Sequence, residues 1–544
     1  MERSGGEALA AQLVAEGVSA VFGVPGVQLD HAVEGLYRER DHIRFYGPRH
    51  EQAATYMADG YARVTGRPGV AMVVPGPGVL NAAAGLATAY ACSSPVLLIA
   101  GQIPSHQIGK GLGLLHEIPN QAEVLAGLTK WSARAARPAE IPALVRHAFT
   151  MLRSGRPQPV ALEIPPDVLA QREAVKLEAV PPAEADGVRT GPAAADLAHA
   201  ARLLSRAARP LIYAGSGVLA SGAAAALERV ASRLQAPVVV SDNGRGALSD
   251  RHPLALTTLA GRSVLPDADV VLAVGAKFVV AAGQLAAGAR TLVINADPRE
   301  AARSRDAAVV MVADAREALD ALARELGPNA KARCWANLDA ARADAARQVA
   351  AVEPQAAFVS ALRRAIPDDG VLVSELTQVG YAARVGYPVY EPRTFMTPGY
   401  QGTLGYGFPT ALGAKIGAPQ RAVVSITGDG GFGWAMAELA TARRYAVGLV
   451  TVVFNDCAFG NVKRTQQQEF SGHVLGTELV NPDYVALAEA FGIAGVRVDG
   501  PEALTEAIGS ALRAGSPTLI EVPVGEMASP WPLLMRRTAV PAAR

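Results

Sequence analysis

The sequence predicts an α/β protein of three domains, each a parallel sheet covered by helices. Two observations carry that prediction. The chain has 544 residues, and at roughly 150 residues per domain this length accommodates three or four. Along most of it a short apolar run, a Gly/Pro turn and an amphipathic helical stretch recur in that order. Strands that alternate with helices in this way lie in parallel sheets buried on both faces.

The first domain, 1–165, has strands predicted at 20–24, 43–46, 69–74, 96–100 and 160–163, with helices between them at 51–65 and 78–91. From 166 to 193 the rhythm breaks into a stretch rich in Pro, Ala and charge, which reads as a linker. The central domain, 194–350, carries strands at 210–214, 237–241, 270–274 and 291–295. Its last part, 313–347, reads as one or two surface helices, with the charge-bearing stretches 314–325 and 333–347 facing solvent. The C-terminal domain, 355–544, has strands at 370–374, 394–396, 422–427, 448–454 and 518–522. The first and last domains are similar in size, which leaves a kinship of folds open.

Composition excludes several classes. Lys+Arg total 51 against 50 Asp+Glu, a net charge of +1, without the basic footprint of a nucleic-acid binder. The 54 glycines and 37 prolines follow no collagen-like period. Cys92, Cys334 and Cys457 are too scattered for a disulfide framework or a zinc site. Charges at positions 2, 3, 7 and 16 leave no signal-peptide core at the start, so a cytoplasmic location is expected. Residues 68–105 contain no Asp, Glu, Lys or Arg. Prolines and glycines cut that stretch into runs shorter than the ~20 residues of a bilayer span. The expectation is therefore a buried core and no membrane.

The chemistry concentrates at 422–461. An apolar strand ends in Gly428-Asp429-Gly430, a helix is predicted over the following GFGWAMAELATARRY, and a second apolar strand ends in Asn455-Asp456. Both aspartates thus stand at the carboxyl ends of successive parallel strands, where open α/β sheets bind ligands. Glycines allow close backbone approach, and a helix start offers N–H groups to phosphate. Two carboxylates suit a diphosphate only if a hard cation such as Mg2+ lies between. A helix-capping aspartate is the other reading of the GDG triplet. Far upstream, Arg49-His50-Glu51-Gln52 follows a strand and opens a helix, where Glu51 also fits a first-turn residue facing the helix dipole.

Gly428-Asp429-Gly430, then 24 residues, then Asn455-Asp456 resembles the signature of the thiamine-diphosphate-dependent enzymes. Glu51 in its His-Glu context matches the glutamate that these enzymes place on the cofactor's aminopyrimidine. With Phe22 to Gly26, Gly76-Pro77-Gly78, Asn81 and Gly402 to Gly407, the resemblance covers nearly the whole chain and is greatest to the acetolactate synthase-like branch. It implies an N-terminal pyrimidine-binding domain, a central domain and a C-terminal diphosphate-binding domain. The metal ligands would be Asp429, Asp456 and the carbonyl of Ala458. Asp456 departs from the family, which has asparagine there, and adds a negative charge.

The resemblance assigns cofactor contacts to Glu51, Gly76, Asn81, Thr377, Gln378, Gly402, Leu404, Gly428, Asp429, Gly430, Gly431, Asp456, Ala458, Phe459, Gly460 and Asn461. Leu404 would wedge the cofactor into its bent form, or it simply packs in the core. Glu51 would relay the proton that generates the nucleophilic ylid, which adds to a 2-oxo acid. Loss of carbon dioxide leaves an enamine that is passed to an aldehyde or second carbonyl, or protonated. The implied activity is a decarboxylating carboligase. A non-carboligating decarboxylase or aldehyde lyase, and a catalytically silent cofactor-binding regulatory subunit, are the rivals.

The pocket departs from each pattern within the family. His116 stands where relatives carry a glutamine or the first histidine of a pair, and would be catalytic as a proton donor or acceptor. Val27 replaces the acidic residue or serine of decarboxylases. Asn461 and Thr465 replace the Met and Trp of synthases that make branched-chain precursors. Gly215-Ser216-Gly217 follows a strand and is a nucleotide loop or a bare turn. Lys277 and its neighbours lack the Arg and Asp with which relatives hold FAD, so FAD is not expected. The family's architecture further implies a homodimer or homotetramer.

Overall fold

The structure, a computed structural model, describes residues 1–181, 189–304, 306–327 and 335–535. They form two compact units, 1–181 with Pro398–Gln420 and Gly433–Leu449, and 189–397 with Arg421–Phe432 and 450–535. Three six-stranded parallel sheets carry the fold.

The sheet of the first unit runs, from edge to edge, Arg44–Tyr46, Ala20–Gly23, Gly69–Val73, Val96–Gly101, Val160–Ile164 and Trp131–Arg134. In chain order that is second, first, third, fourth, sixth, fifth. All six residues of Val96–Gly101 are buried, as are all five of Gly69–Val73. Between these strands lies the helix Pro77–Cys92, so the uncharged run 68–105 is core. No helix among the described residues is long and apolar enough to cross a membrane. The helix Glu51–Thr65 starts where the sequence predicts. His50 accepts from the Gln52 N–H at 3.1 Å, and Gly66 ends the helix in the left-handed region.

A distant segment completes this unit. The helix Gly407–Gly417 packs on Glu51–Thr65 through two glycines. A Cβ on Gly60 would sit 2.0 Å from the Thr410 carbonyl oxygen, and one on Gly413 would sit 1.9 Å from that of Met57. Such backbone contact is possible only without side chains.

The stretch 166–193 is more structured than its composition implies. The helix Pro166–Ala170 buries Val168 and Leu169, and Arg172–Ala174 pairs antiparallel with Glu2–Ser4. Residues 182–188 of that stretch lie outside the described residues.

The second unit holds two sheets. The central one runs Ala255–Leu256, Val238–Val240, Pro210–Ala214, Val270–Val274, Arg290–Asn295, Val309–Val312, a doubly wound order. The other runs Phe395–Met396, Val371–Ser374, Val423–Gly428, Val450–Asn455, Thr518–Pro523, Ala494–Arg497. Its order is again second, first, third, fourth, sixth, fifth, the winding of the first unit's sheet. One continuous apolar cluster, with Leu272 and Val424 among its members, runs through both sheets.

Within the three six-stranded sheets, four strands escaped the sequence reading, Trp131–Arg134, Ala255–Leu256, Val309–Val312 and Ala494–Arg497, as did the separate pair Glu2–Ser4 and Arg172–Ala174. The first four are all sheet edges. Trp131–Arg134 and Ala494–Arg497 are partly polar and Ala255–Leu256 is two residues long, as edge strands that pair on one side only can be, whereas Val309–Val312 is wholly apolar and was passed over. The 313–347 stretch forms two helices, Ala315–Leu326 and Leu338–Ala350. Each buries a stripe, Ala318, Leu319 and Leu322 in one and Leu338, Ala341 and Ala345 in the other, so they are not wholly solvated. Cys334 and the start of the predicted 333–347 helix lie outside the described residues.

Candidate active site

In the first unit the helix Glu51–Thr65 presents Glu51 at its first position. The Asn81 side-chain amide donates to Glu51 Oε2 at 3.0 Å. Beside it, Gln52 Nε2 donates to the Leu404 carbonyl at 3.2 Å and to the Tyr56 hydroxyl at 3.1 Å. Gly402, two residues before Leu404, has φ +62, a conformation natural to glycine. The structure thus gathers Glu51, Asn81 and Leu404.

Gly76 caps the helix that carries Asn81, at φ +57, and its N–H donates to Gln121 Oε1 at 2.8 Å. A Cβ at Gly76 would lie 2.3 Å from the His116 carbonyl oxygen. His116 is half-buried and left-handed at φ +67, with Nδ1 3.2 Å from Gln28 Oε1. Its backbone is therefore packed against the cap of the Asn81 helix, while its ring is oriented by Gln28.

One residue of this unit had no legible signal. Glu438 is 1% exposed, and its carboxylate accepts from the backbone N–H groups of Arg49 at 3.0 Å and His50 at 3.1 Å. It fixes the two residues that lead into Glu51. Burial holds its acidity below that of an ordinary glutamic acid, while the Thr441 hydroxyl and those N–H groups oppose the shift. Nothing local in the sequence around 438 points to a partner 389 residues away.

In the second unit Val423–Gly428 and Val450–Asn455 are adjacent parallel strands, with Gly428 opposite Phe454. Asp429 and Asp456 therefore emerge side by side, as the spacing predicts. Their carboxyl groups are near enough to influence each other's protonation. Burial, then the Asp429 charge, pushes Asp456 up to about 7; burial also raises Asp429. Ala458 lies in the same turn, its N–H donating to Asp456 Oδ1 at 3.3 Å, and Cys457 between them is left-handed.

The glycines form a cradle around these carboxylates. A Cβ on Gly430 would meet the Phe459 ring at 2.6 Å, and one on Gly431 would meet Glu375 Oε1 at 2.2 Å. On Gly460 it would lie 2.3 Å from Asp456 Oδ2 and 3.5 Å from Gln378 Nε2. Gly428 faces Thr377 at 3.7 Å. Thr377, Gln378, Gly428, Gly430, Asp456, Phe459 and Gly460 are thus one cluster. Asn461 belongs to the same helix, Gly460–Glu469, and its Oδ1 accepts from the Trp531 indole at 2.7 Å. Two close carboxylates and a carbonyl are hard oxygen donors, and as a donor set they fit a divalent cation of the magnesium type. Two like charges this close keep a proton between them unless a cation replaces it.

One expectation needs correction here. The helix predicted after Gly430 is three short pieces: Asp429–Gly433, the single turn Met436–Glu438, and Leu439–Arg444. Glycines at 430, 431 and 433 are poor helix formers, and so short a first piece has little macrodipole to offer phosphate. The central-domain glycine loop serves packing. Gly217 N–H donates to the Gly275 carbonyl at 3.0 Å, and a Cβ on Gly215 would lie 2.3 Å from that same oxygen.

The sequence reading also missed Asn481. Its amide donates to Asp429 Oδ2 at 2.7 Å and to Asn455 Oδ1 at 2.9 Å. Asn455 in turn donates to Glu521, which accepts from Arg497. The first residue of the Asn455-Asp456 pair is therefore a strut between Asn481, which holds Asp429, and Glu521.

Comparison with known proteins agrees with this arrangement. Family models for the N-terminal TPP binding, central and C-terminal TPP binding domains of thiamine pyrophosphate enzymes match residues 3–124, 197–322 and 377–522. The chain is 38% identical over 534 residues to a Pseudomonas aeruginosa protein named "Probable 2-ketoarginine decarboxylase", covering 95% of this chain and 93% of that one. The chain belongs to the thiamine pyrophosphate enzymes. Within them it is similar to the acetolactate synthase isozyme 3 large subunit of Escherichia coli, at 32% identity over 94% of this chain and 92% of that one. A Methanocaldococcus jannaschii protein named "Probable acetolactate synthase large subunit" is 33% identical, over 95% and 91%. In this thiamine pyrophosphate enzyme of the acetolactate synthase-like branch, the first unit carries the glutamate and the second the paired carboxylates.

Proposed function

We propose that the protein binds thiamine diphosphate with Mg2+ and decarboxylates a 2-oxo acid, passing the product carbon to a second carbonyl. The observation that carries this reading is the Glu51–Asn81 pair at the head of a helix, since a protein that merely stored the cofactor would have little use for a held carboxyl group there. When bound, the cofactor supplies a nucleophilic carbon and an electron sink for the carboxylate that leaves.

The chain's own groups have separable tasks. Asp429, Asp456 and the Ala458 carbonyl would hold the cation, with Asn481 orienting Asp429. Glu51 would move a proton at its Oε atoms, steadied by Asn81 on one side and by the Glu438 anchor behind it. His116 would give or take a proton at the imidazole nitrogen that Gln28 leaves open. Gly76, Gly402, Leu404, Thr377, Gln378, Phe459 and Gly460 would shape the walls around the cofactor. A homodimer or homotetramer in the cytoplasm is part of the same reading.

Glu51→Gln tests it. Cofactor affinity measured by calorimetry should stay near that of the parent, while turnover falls by orders of magnitude; near-parental turnover sinks the assigned role. His116→Ala should lower the rate or change the product ratio, and unchanged values for both return that residue to a structural role.

A second reading, simple decarboxylation, has its own support. Asn461, where branched-chain synthases carry Met, is a polar group fixed by Trp531, and the 38% relative has a decarboxylase name. Product analysis with pyruvate, with and without an acceptor aldehyde, separates the two. Carbon–carbon bond formation supports the first; aldehyde alone supports the second.

A further inference from the structure

The carboxylate at 456 sets a problem that the rest of the site must solve. Asp429, which is buried, and Asp456, which is half-buried, already stand side by side at adjacent strand ends. A diphosphate brought beside them adds more negative charge than one divalent cation removes. Uncompensated charge in a buried site is costly, so a cation of the protein's own is to be expected close by.

Arg464 is such a cation. It lies on the helix Gly460–Glu469, two turns beyond Asp456, and is only 5% exposed. One terminal nitrogen is used twice: Nη2 donates to Gln378 Oε1 at 3.1 Å and to the Met527 carbonyl at 2.7 Å. The other, Nη1, is buried and has no hydrogen-bond partner among the described residues. Burial lowers the basicity of this guanidinium, and the charges of Glu526 and then Asp456 oppose that shift. Gln378, which Arg464 holds, is the residue whose amide lies 3.5 Å from the Cβ position of Gly460, itself against Asp456. An orphaned donor on a buried guanidinium costs free energy unless a partner arrives. Arg presents its donors as a rigid fork suited to phosphate oxygens.

We infer that Arg464 offsets the charge introduced by Asp456 and that its unpartnered Nη1 donates to an oxygen of the bound diphosphate. This rests on the reading of 429–461 as the diphosphate site and adds a positioning residue to it. It gives a reason for the departure at 456: the aspartate and the arginine act as a pair.

The test is a double-mutant cycle read by calorimetry, titrating thiamine diphosphate into the full chain at saturating MgCl2. Arg464→Gln should weaken binding by about 10- to 100-fold, the range for a hydrogen bond to a charged group. Arg464→Lys, which keeps the charge without the fork, should recover part of the loss, whereas a merely structural role would leave Lys no better than Gln. With Asp456→Asn as background the Arg464→Gln penalty should shrink measurably, because the charge that Arg464 offsets is gone, while the part due to the hydrogen bond to the diphosphate remains. Parental affinity in Arg464→Gln, or an equal penalty in both backgrounds, overturns the inference. If Arg464→Gln does not fold, the Lys variant decides, in both backgrounds. Asp429→Ala is the control. Unchanged affinity there refutes the site itself, whereas lost affinity there with a neutral Arg464→Gln refutes only the role of the arginine.

Discussion

Asn481→Ala isolates the support of the paired carboxylates. The substitution removes two hydrogen bonds, 2.7 Å to Asp429 Oδ2 and 2.9 Å to Asn455 Oδ1. A bond to a charged group contributes about 1.5–3 kcal/mol, and an ordinary one about 1 kcal/mol. Only the first bears on the cation. Groups that orient a metal ligand typically change affinity by about 10–100-fold when removed, which at 1.4 kcal/mol per decade is about 1.4–2.8 kcal/mol. The two ranges agree. Titrating MgCl2 at fixed thiamine diphosphate, with cofactor fluorescence or calorimetry as readout, should thus show half-saturation displaced by about 10–100-fold. The melting temperature of the metal-free protein should fall as well, because both hydrogen bonds are present without the cation, so the displacement of half-saturation is the readout that bears on the cation. A half-saturating concentration within about twofold of the parent would refute the reasoning, because ligand orientation would then not depend on Asn481.

Further outcomes follow from the same geometry. Gly60→Ala or Gly413→Ala forces a Cβ to about 2 Å from a carbonyl oxygen across the helix pair. Overpacking of this kind costs about 1–3 kcal/mol or more, so denaturant midpoints should fall for both, and unchanged midpoints would mean that the helices separate freely. The metal-free protein should lose stability as pH rises from about 4 to about 7, because Asp456 is pushed up to about 7 in the folded chain and the folded state binds the extra proton across that window. Adding Mg2+ should reverse the loss and release protons below pH 7, and Asp456→Asn should flatten the profile. A melting temperature that rises over that window in the parent and is unaltered by Asp456→Asn would contradict the pairing.

Much of the fold was legible from local pattern. Interior strands such as Pro210–Ala214 and Val270–Val274 are continuous apolar runs because both faces of a parallel sheet are covered, and the helix Glu51–Thr65 announces itself by periodicity and a terminal glycine. Edge strands were less legible, since half-paired strands need no such run: Arg44–Tyr46 and Phe395–Met396 were read, while Trp131–Arg134 and Ala494–Arg497, partly polar, were not. The helix after Gly430 was misread because its amphipathic pattern persists while its glycines break the backbone.

At the site the division is similar. Asp429, Asp456 and Glu51 could be found by sequence alone, because each is fixed by a strand end or a helix start that immediate neighbours dictate. Asn481, Glu438 and Arg464 could not. Their partners lie 52, 389 and 86 residues away respectively, and only tertiary packing brings such groups within 3 Å or so. The sequence by itself determined three α/β domains, the places where chemistry-bearing residues leave their strands and helices, and the family to which they belong. The tertiary structure decided what orients those residues, which glycines are needed for backbone contact, and which buried cation, Arg464, stands near the second carboxylate. The physical reason is range: propensity and periodicity act over a few residues, whereas burial, charge and hydrogen bonding act between any groups that the fold brings together.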